Sequence, residues 1–108
     1  MEDELIIKLR VSRKNVLMGR PQDCWECPVA LAVNERFAGD GLIGDVDMAE
    51  TSLCEKNAPS RTPVFVARTP RDASYFIAAI DRGGFWERLP YLLRTRTYTF
   101  RFRKVAAS

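Results

Sequence analysis

The chain contains no histidine among its 108 residues. Serine–histidine and cysteine–histidine nucleophile pairs, histidine-ligated metals and the usual general base near neutral pH are therefore excluded, and we expect a protein that is not an enzyme. The sequence also has no apolar run of the roughly 18 residues that a membrane helix needs, and its acidic start differs from the basic start of a secretory signal. We expect no membrane contact and a cytoplasmic location.

The chain has three cysteines, Cys24, Cys27 and Cys54, which is a small and odd number. A secreted disulfide framework needs paired cysteines and usually occurs in chains too small for a core of their own. This chain is 46% apolar and long enough to bury a real core. We therefore expect reduced thiols and one α+β domain over residues 1–108, with the oligomeric state left open.

Charge is distributed unevenly along the chain. Residues 1–60 contain 7 Lys+Arg and 11 Asp+Glu, a net charge of −4, and residues 61–108 contain 10 and 3, a net charge of +7, which together give +3. The acids concentrate in segment 40–55, which has no base, and the bases in segment 94–104, which has no acid. This polarity suggests an anionic partner for the basic segment, unless the fold brings the two segments together.

Hydrophobic periodicity predicts the elements of the first half. Residues 4–11 alternate between apolar and polar side chains, which predicts a half-buried strand. Ser12 is a candidate N-cap for a short helix through Leu17. The main helix is predicted over 23–39, where Pro28 suits the first turn because its missing N–H has no partner there.

The second half is predicted in the same way. Segment 40–55 indicates one strand with a solvent-facing side, and segment 64–67 a short buried strand after a loop over 57–63. Thr69 is a candidate N-cap for a helix that Gly83 and Gly84 end. The core stripe of this helix is expected at Ala73, Phe76, Ile77 and Ile80.

The clearest strand is predicted over 95–104, with Tyr98, Phe100 and Phe102 on one face. The resulting order is β-α-α-β-β-α-β. It predicts an α+β domain with an antiparallel or mixed four-stranded sheet and two main helices on one face.

A Cys-x-x-Cys-Pro motif, formed by Cys24 and Cys27, opens the predicted main helix. The helix dipole and the unpaired N–H groups there favour thiolate, as a redox pair requires. Zinc is the alternative, with Cys54 as third ligand and Asp23 or Glu26 as fourth, although structural zinc normally takes four Cys or His ligands. The preferred interpretation needs no cofactor: two small buried thiols, and Cys24 near the surface.

The acidic segment contains Asp45, Asp47 and Glu50, a spacing that resembles an oxygen-ligand cluster. A calcium loop needs five or more oxygens held by a glycine-bearing turn, so we interpret the acids as a solvated strand face. We predict that this face contacts a protein partner.

A second candidate protein-binding segment surrounds Pro90 in a predicted loop. It contains Trp86, Arg88, Tyr91 and Arg94, and Trp, Tyr and Arg are the residue types that anchor protein interfaces. The same residues would also suit a lid packed over the sheet.

The basic segment supports an alternative function, nucleic-acid binding. Its candidate phosphate-binding residues are Arg94, Arg96, Arg101, Arg103 and Lys104. Against this, alternation places the aromatic side chains in the core, and arginines commonly protect an edge strand from aggregation.

The sequence resembles a group of small, largely uncharacterised proteins of bacteriophages and prophages. The likeness covers about half of the chain: an N-terminal strand, a turn with Gly19, and two motifs. These are Cys24-x-x-Cys27-Pro28-x-Ala30-x-Ala32 and Phe76-Ile77-x-x-Ile80-Asp81-x-Gly83. The basic segment after Pro90 departs from the group. The resemblance implies a phage-type protein that binds and modulates or inhibits a host protein complex, such as a defence system, in the host cytoplasm.

Overall fold

Five strands and four helices make up the part of the chain that the computed structural model describes, residues 4–57, 62–82 and 85–105. The strands are β1 (Glu4–Val11), β2 (Leu42–Val46), β3 (Glu50–Glu55), β4 (Pro63–Arg68) and β5 (Arg96–Lys104). The helices are α1 (Arg13–Met18), α2 (Pro28–Phe37), α3 (Arg71–Asp81) and α4 (Phe85–Leu93), and a 3-10 turn (Ala38–Asp40) follows α2. None of the described helices is long and apolar enough to cross a membrane.

All five strands belong to one antiparallel sheet with the order β1-β5-β4-β3-β2. β1 and β5 pair along their length, whereas β4 and β5 pair only at Phe65–Lys104 and Val66–Arg103. Both edge strands, β1 and β2, contact α2, so the sheet curls around that helix. The α+β class is confirmed, but the prediction of four strands and two main helices was wrong.

The core lies between one face of the sheet and the helices. Alternation places Tyr98, Phe100 and Phe102 of β5 in this core, as predicted, and each is at most 2% exposed. They pack with apolar residues of β1, α2 and α3 in a single cluster, which includes the predicted stripe of α3. Full burial of a large apolar side chain contributes about 1.5–3 kcal/mol, so each of these aromatics stabilises the sheet substantially.

The main helix is shorter than predicted. It begins at Cys27, whose Sγ accepts a hydrogen bond from the N–H three residues on at 3.4 Å, and Pro28 takes the first helical position. The predicted start at Asp23 was wrong because its Oδ1 instead accepts hydrogen bonds from two following N–H groups and closes a turn. Gly39 lies in the 3-10 turn, and Gly41, with φ of 69°, reverses the chain.

Segment 40–55 forms a hairpin, so the prediction of one strand was wrong. Asp47 makes the turn: its Oδ1 accepts hydrogen bonds from the N–H groups of Ala49 and Glu50, both at 2.7 Å. An aspartate that bonds the backbone two residues on stabilises a turn without glycine. The next strand is confirmed as β4, although only Ala67 within it is fully buried.

Two helix boundaries also differ from prediction. Pro70, not Thr69, is the N-cap of α3, and the hydroxyl of Thr69 donates to the carbonyl of Asp47 at 2.8 Å. The predicted loop around Pro90 is helix α4, in which that proline sits inside the helix. Gly83, Gly84 and residues 58–61 of the predicted loop lie outside the described residues.

The edges of the sheet are protected differently from the prediction. β5 lies between β1 and β4, and β4 pairs with it at Arg103 and Lys104, so these two bases do not lie on an edge. At the β2 edge the N–H of Gly44 donates to Asn34 Oδ1 at 2.7 Å, and the N–H of Val46 donates to the Cys24 carbonyl at 2.8 Å. These contacts occupy donors that a further strand would need.

Candidate functional site

Helix α4 presents apolar side chains to solvent. Trp86 is 78% exposed and Leu93 is 70% exposed, with Leu89 half-buried and Pro90 exposed between them. These four residues, here called the α4 stripe, have the spacing i, i+3, i+4 and i+7, which places them along one side of the helix. A surface helix normally turns its apolar side inward, so this outward stripe is the distinctive feature of α4.

The opposite side of α4 fixes the helix to the protein. The ring of Tyr91 lies 4.3 Å from the ring of Phe76, centroid to centroid, and the guanidinium of Arg88 donates to the carbonyl of Val16 in α1. Arg13 Nε of α1 donates to the carbonyl of Leu92 at 2.8 Å. Arg88 and Tyr91, both predicted partner-binding residues, therefore hold α4 in place.

Arg94 and Arg96, which both follow the end of α4, differ in their surroundings. Arg94 is exposed and follows the helix directly. Arg96 lies with its guanidinium carbon 4.8 Å from the centroid of the Tyr91 ring. Such a cation–π contact is worth about 0.5–1 kcal/mol at an exposed site, so Arg96 is partly committed to the fold.

The three predicted acids lie together at the β2–β3 turn. Asp45 is half-buried on β2, Asp47 forms the turn itself, and Glu50 is exposed at the start of β3, opposite Arg68. Burial, and secondly the charge of Asp47, raise the pKa of Asp45. We call this group of three carboxylates the acidic turn.

Helix α3 separates the acidic turn from α4. Its Ser74 hydroxyl donates to the carbonyl of Met48 in the turn at 2.6 Å, while its Phe76 contacts Tyr91 of α4. Ser74 and Phe76 are two residues apart, so their side chains leave the helix in directions that differ by about 200° around its axis. The turn and α4 therefore contact opposite sides of α3. Tyr75, 66% exposed, lies on the outer side between them. The predicted partner-binding residues thus fall in two separate places, on either side of α3.

The predicted nucleic-acid-binding residues are also divided. Arg94 and Arg96 lie at the start of β5 beside α4, whereas Arg101 and Arg103 point away from the core on the open face of the sheet. Lys104 is exposed at the end of the strand. β1 brings Lys8 and Arg10 to the same open face, because its apolar residues alternate into the core.

The three cysteines are free thiols, with Cys24 exposed and Cys27 and Cys54 buried. Cys27 belongs to the main core, while Cys54 is buried outside that cluster, in register with Ile43 of β2. Burial raises the pKa of Cys27 to about 11; burial, and then nearby carboxylates, raise that of the exposed Cys24. Among the described residues no three His, Cys, Asp or Glu side chains form a metal-binding group.

Sequence reasoning missed two parts of these surfaces. The alternation of residues 4–11 predicts Lys8 and Arg10 on the polar side of a strand, but nothing in the sequence pairs that strand with β5. Leu89 carries a detectable signal, the i, i+3, i+4, i+7 spacing that it shares with Trp86, Pro90 and Leu93, which the proline obscured.

Comparison with protein-family models, with curated proteins and with solved structures finds no match for the chain.

Proposed function

We propose that this protein is a non-enzymatic interaction domain that binds a protein partner by placing the α4 stripe in an apolar groove. The observation that carries the proposal is the outward spacing of Trp86, Leu89, Pro90 and Leu93. Helices that bind in grooves use anchors at i, i+3, i+4 and i+7, the same spacing. Tryptophan is also among the residue types that contribute most binding energy at interfaces.

The stripe is held ready for binding. Arg88 and Tyr91 fix α4 from its inner side, so its outer side chains need little ordering when a partner arrives. A helix of nine residues would be marginal as an isolated peptide. The domain therefore acts as a scaffold that presents a short helix in its bound form.

The charged residues near the stripe indicate which groups the partner carries around its apolar groove. Arg94 follows the stripe and suits a carboxylate at that end of the groove, while the acidic turn beyond α3 suits basic groups. Tyr75 lies between them as a further aromatic contact. A typical interface buries about 800 Å² on each partner, enough to extend beyond one helix of this size. We propose that the stripe provides the anchor and the two charged ends orient the partner.

A non-enzymatic role is supported by the side chains available for chemistry. The chain has no histidine. Raised pKa values keep the thiols of Cys24 and Cys27 protonated near neutral pH, whereas nucleophilic and redox cysteines have lowered ones. In accord with the resemblance to phage proteins, the proposed partner is a protein of a bacterial host.

The test is capture of partners from a nuclease-treated bacterial lysate by the immobilised protein. We expect a discrete protein partner that is retained by the unchanged chain and lost with the double variant Trp86→Ala, Leu93→Ala. The matched control is Ile6→Ala, Val105→Ala, which removes exposed apolar side chains from the sheet side of the molecule. Both double variants should keep the thermal midpoint, since none of the four side chains is buried.

Two results would contradict the proposal. The first is loss of all captured proteins after nuclease treatment, which would show that nucleic acid had bridged them. The second is equal capture by the two double variants. Sedimentation of the purified protein tests whether a second copy of the chain binds the α4 stripe. A dimer that Trp86→Ala dissociates would show that the stripe binds another copy of the chain and not a host protein.

A further inference from the structure

The open face of β1 and β5 is basic. On the side away from the core these two strands present Lys8, Arg10, Arg101 and Arg103, all exposed, and we call this group the basic face. Glu4, in register with Arg103, is the single acid of the two strands. The salt bridges among the described residues join Arg20 to Glu26 and Arg82 to Glu87, so these four cations stay without a carboxylate partner there.

Strand pairing arranges the four cations in two adjacent rows, one on each strand. Arg101 is in register with Ile6, Thr99 with Lys8 and Thr97 with Arg10. Same-face residues of a strand lie about 7 Å apart and neighbouring strands about 4.8 Å apart, so the array from Arg10 to Arg103 is about 20 Å long. A strand of a nucleic-acid duplex has one charge per roughly 3.4 Å of helix axis, and about six phosphates therefore match the length of the array.

The side chains between the cations favour backbone contacts over base contacts. Thr97 and Thr99 are exposed on this face and offer hydroxyl groups, which commonly bind phosphate oxygens. The aromatic residues of β5 are buried on the other side of the sheet, so they provide no platform on which the bases of a single strand could stack. The face therefore suits a duplex bound through its phosphates.

We infer that the basic face is a site for sequence-independent binding of double-stranded nucleic acid, with Lys8, Arg10, Arg101 and Arg103 as its phosphate-binding residues. This inference is independent of the proposed protein contact, because the α4 stripe belongs to the helical side of the sheet. A protein with both surfaces can hold its protein partner beside a duplex.

The test measures fluorescence anisotropy of a labelled DNA duplex of mixed sequence as salt rises from about 50 to about 200 mM. Four phosphate contacts predict a slope of about −3.6 in log affinity against log salt, hence a roughly 150-fold loss over this range. The double variant Arg101→Gln, Arg103→Gln keeps two contacts, so its slope falls to about −1.8 and its loss to roughly 12-fold. Lys8→Gln, Arg10→Gln should give the same reduction independently.

The charge-matched control is Lys14→Gln, Arg71→Gln, which removes two exposed bases from α1 and α3. Its slope should equal that of the unchanged protein. The inference fails if the duplex does not bind at the lowest salt, if the control lowers the slope as much as the two basic-face variants, or if a single strand of the same sequence binds more tightly. Circular dichroism shows whether each variant is folded.

Discussion

Arg88 in α4 donates a hydrogen bond through Nη1 to the main-chain carbonyl of Val16 in α1. The last four carbonyls of a helix have no partner within it, and the guanidinium satisfies one of them while it fixes α4 against α1. Because losing one partner of a charge-assisted bond leaves that carbonyl without a bond, we expect Arg88→Ala to lower the free energy of unfolding by about 1–3 kcal/mol. Urea unfolding measures the change.

The control for Arg88 is Arg94→Ala, which removes the same group from an exposed position just after α4. Surface substitutions of this kind usually change stability by less than about 0.5 kcal/mol. Equal effects of the two variants would show that the contact with α1 contributes nothing beyond the loss of an arginine.

Thr51 and Thr69 share a buried hydroxyl pair, with their Oγ1 atoms 2.9 Å apart. The Thr69 hydroxyl donates to the Asp47 carbonyl, so Thr51 must be the donor within the pair. Thr69→Val therefore leaves both the Thr51 hydroxyl and the Asp47 carbonyl without a bond, whereas Thr51→Val removes only the donor. We expect Thr69→Val to cost about 1–3 kcal/mol more in urea unfolding. Equal costs would reject this donor assignment.

Gly44 in β2 packs directly under α2. A Cβ at this position would lie 2.5 Å from Cγ1 of Val33, closer than two non-bonded carbon atoms can approach. Gly44→Ala should therefore destabilise the domain by about 1–3 kcal/mol through overpacking. In a Val33→Ala background that methyl is gone, and the same glycine substitution should cost clearly less. A double-mutant cycle in urea measures this coupling, and additive effects would contradict it.

The elements that the sequence predicted well are those in which one periodicity covers the whole segment. β1, β5 and the stripe of α3 have regular spacing and were assigned to the correct face. Local spacing does not encode which strands become neighbours. The basic face could not be foreseen for that reason, because it exists only where the first and last strands pair.

The errors arose where one local signal competed with another. Pro90 argues for a loop, yet α4 forms because the burial of Tyr91 and the bond of Arg88 outweigh the single backbone hydrogen bond that a proline removes. The hairpin at Asp47 lacks a glycine in its turn, so its polar residues were assigned to one long strand. In α4 the deciding side-chain contacts are made with α1 and α3, whereas at Asp47 they are made within the turn itself.

Cys27 links the start of α2 to the pH dependence of stability. Burial raises its folded pKa to about 11 from an ordinary value of 9.0, so the folded state holds the proton more tightly. The corresponding stabilisation is fully present well below pH 9 and is lost as pH rises toward 11. At roughly 1.4 kcal/mol per pH unit once the unfolded thiol has ionised, we expect a loss of about 1 kcal/mol between about pH 8.5 and about pH 10.

Cys27→Ser isolates this contribution. Serine is a preferred N-cap, and its hydroxyl can accept the hydrogen bond that Sγ accepts from the Ala30 N–H, so the variant should fold. It has no thiol to ionise at that position, and its unfolding free energy should fall less over the same pH range. The rise in the pKa of Tyr98, to about 12, acts in the same direction but only above about pH 10.

The matched substitution is Cys24→Ser, at the exposed thiol of the same motif. Its pKa is also raised, but Cys24 is far less buried, so this variant should keep most of the alkaline loss seen in the unchanged protein. Urea unfolding in the presence of a reducing agent, at about pH 8 and about pH 10, compares the three chains. If the unchanged protein and Cys27→Ser lose the same free energy, burial of the Cys27 thiol is not the cause of the alkaline destabilisation, because ionisation of this one group then makes no difference between the folded and the unfolded state.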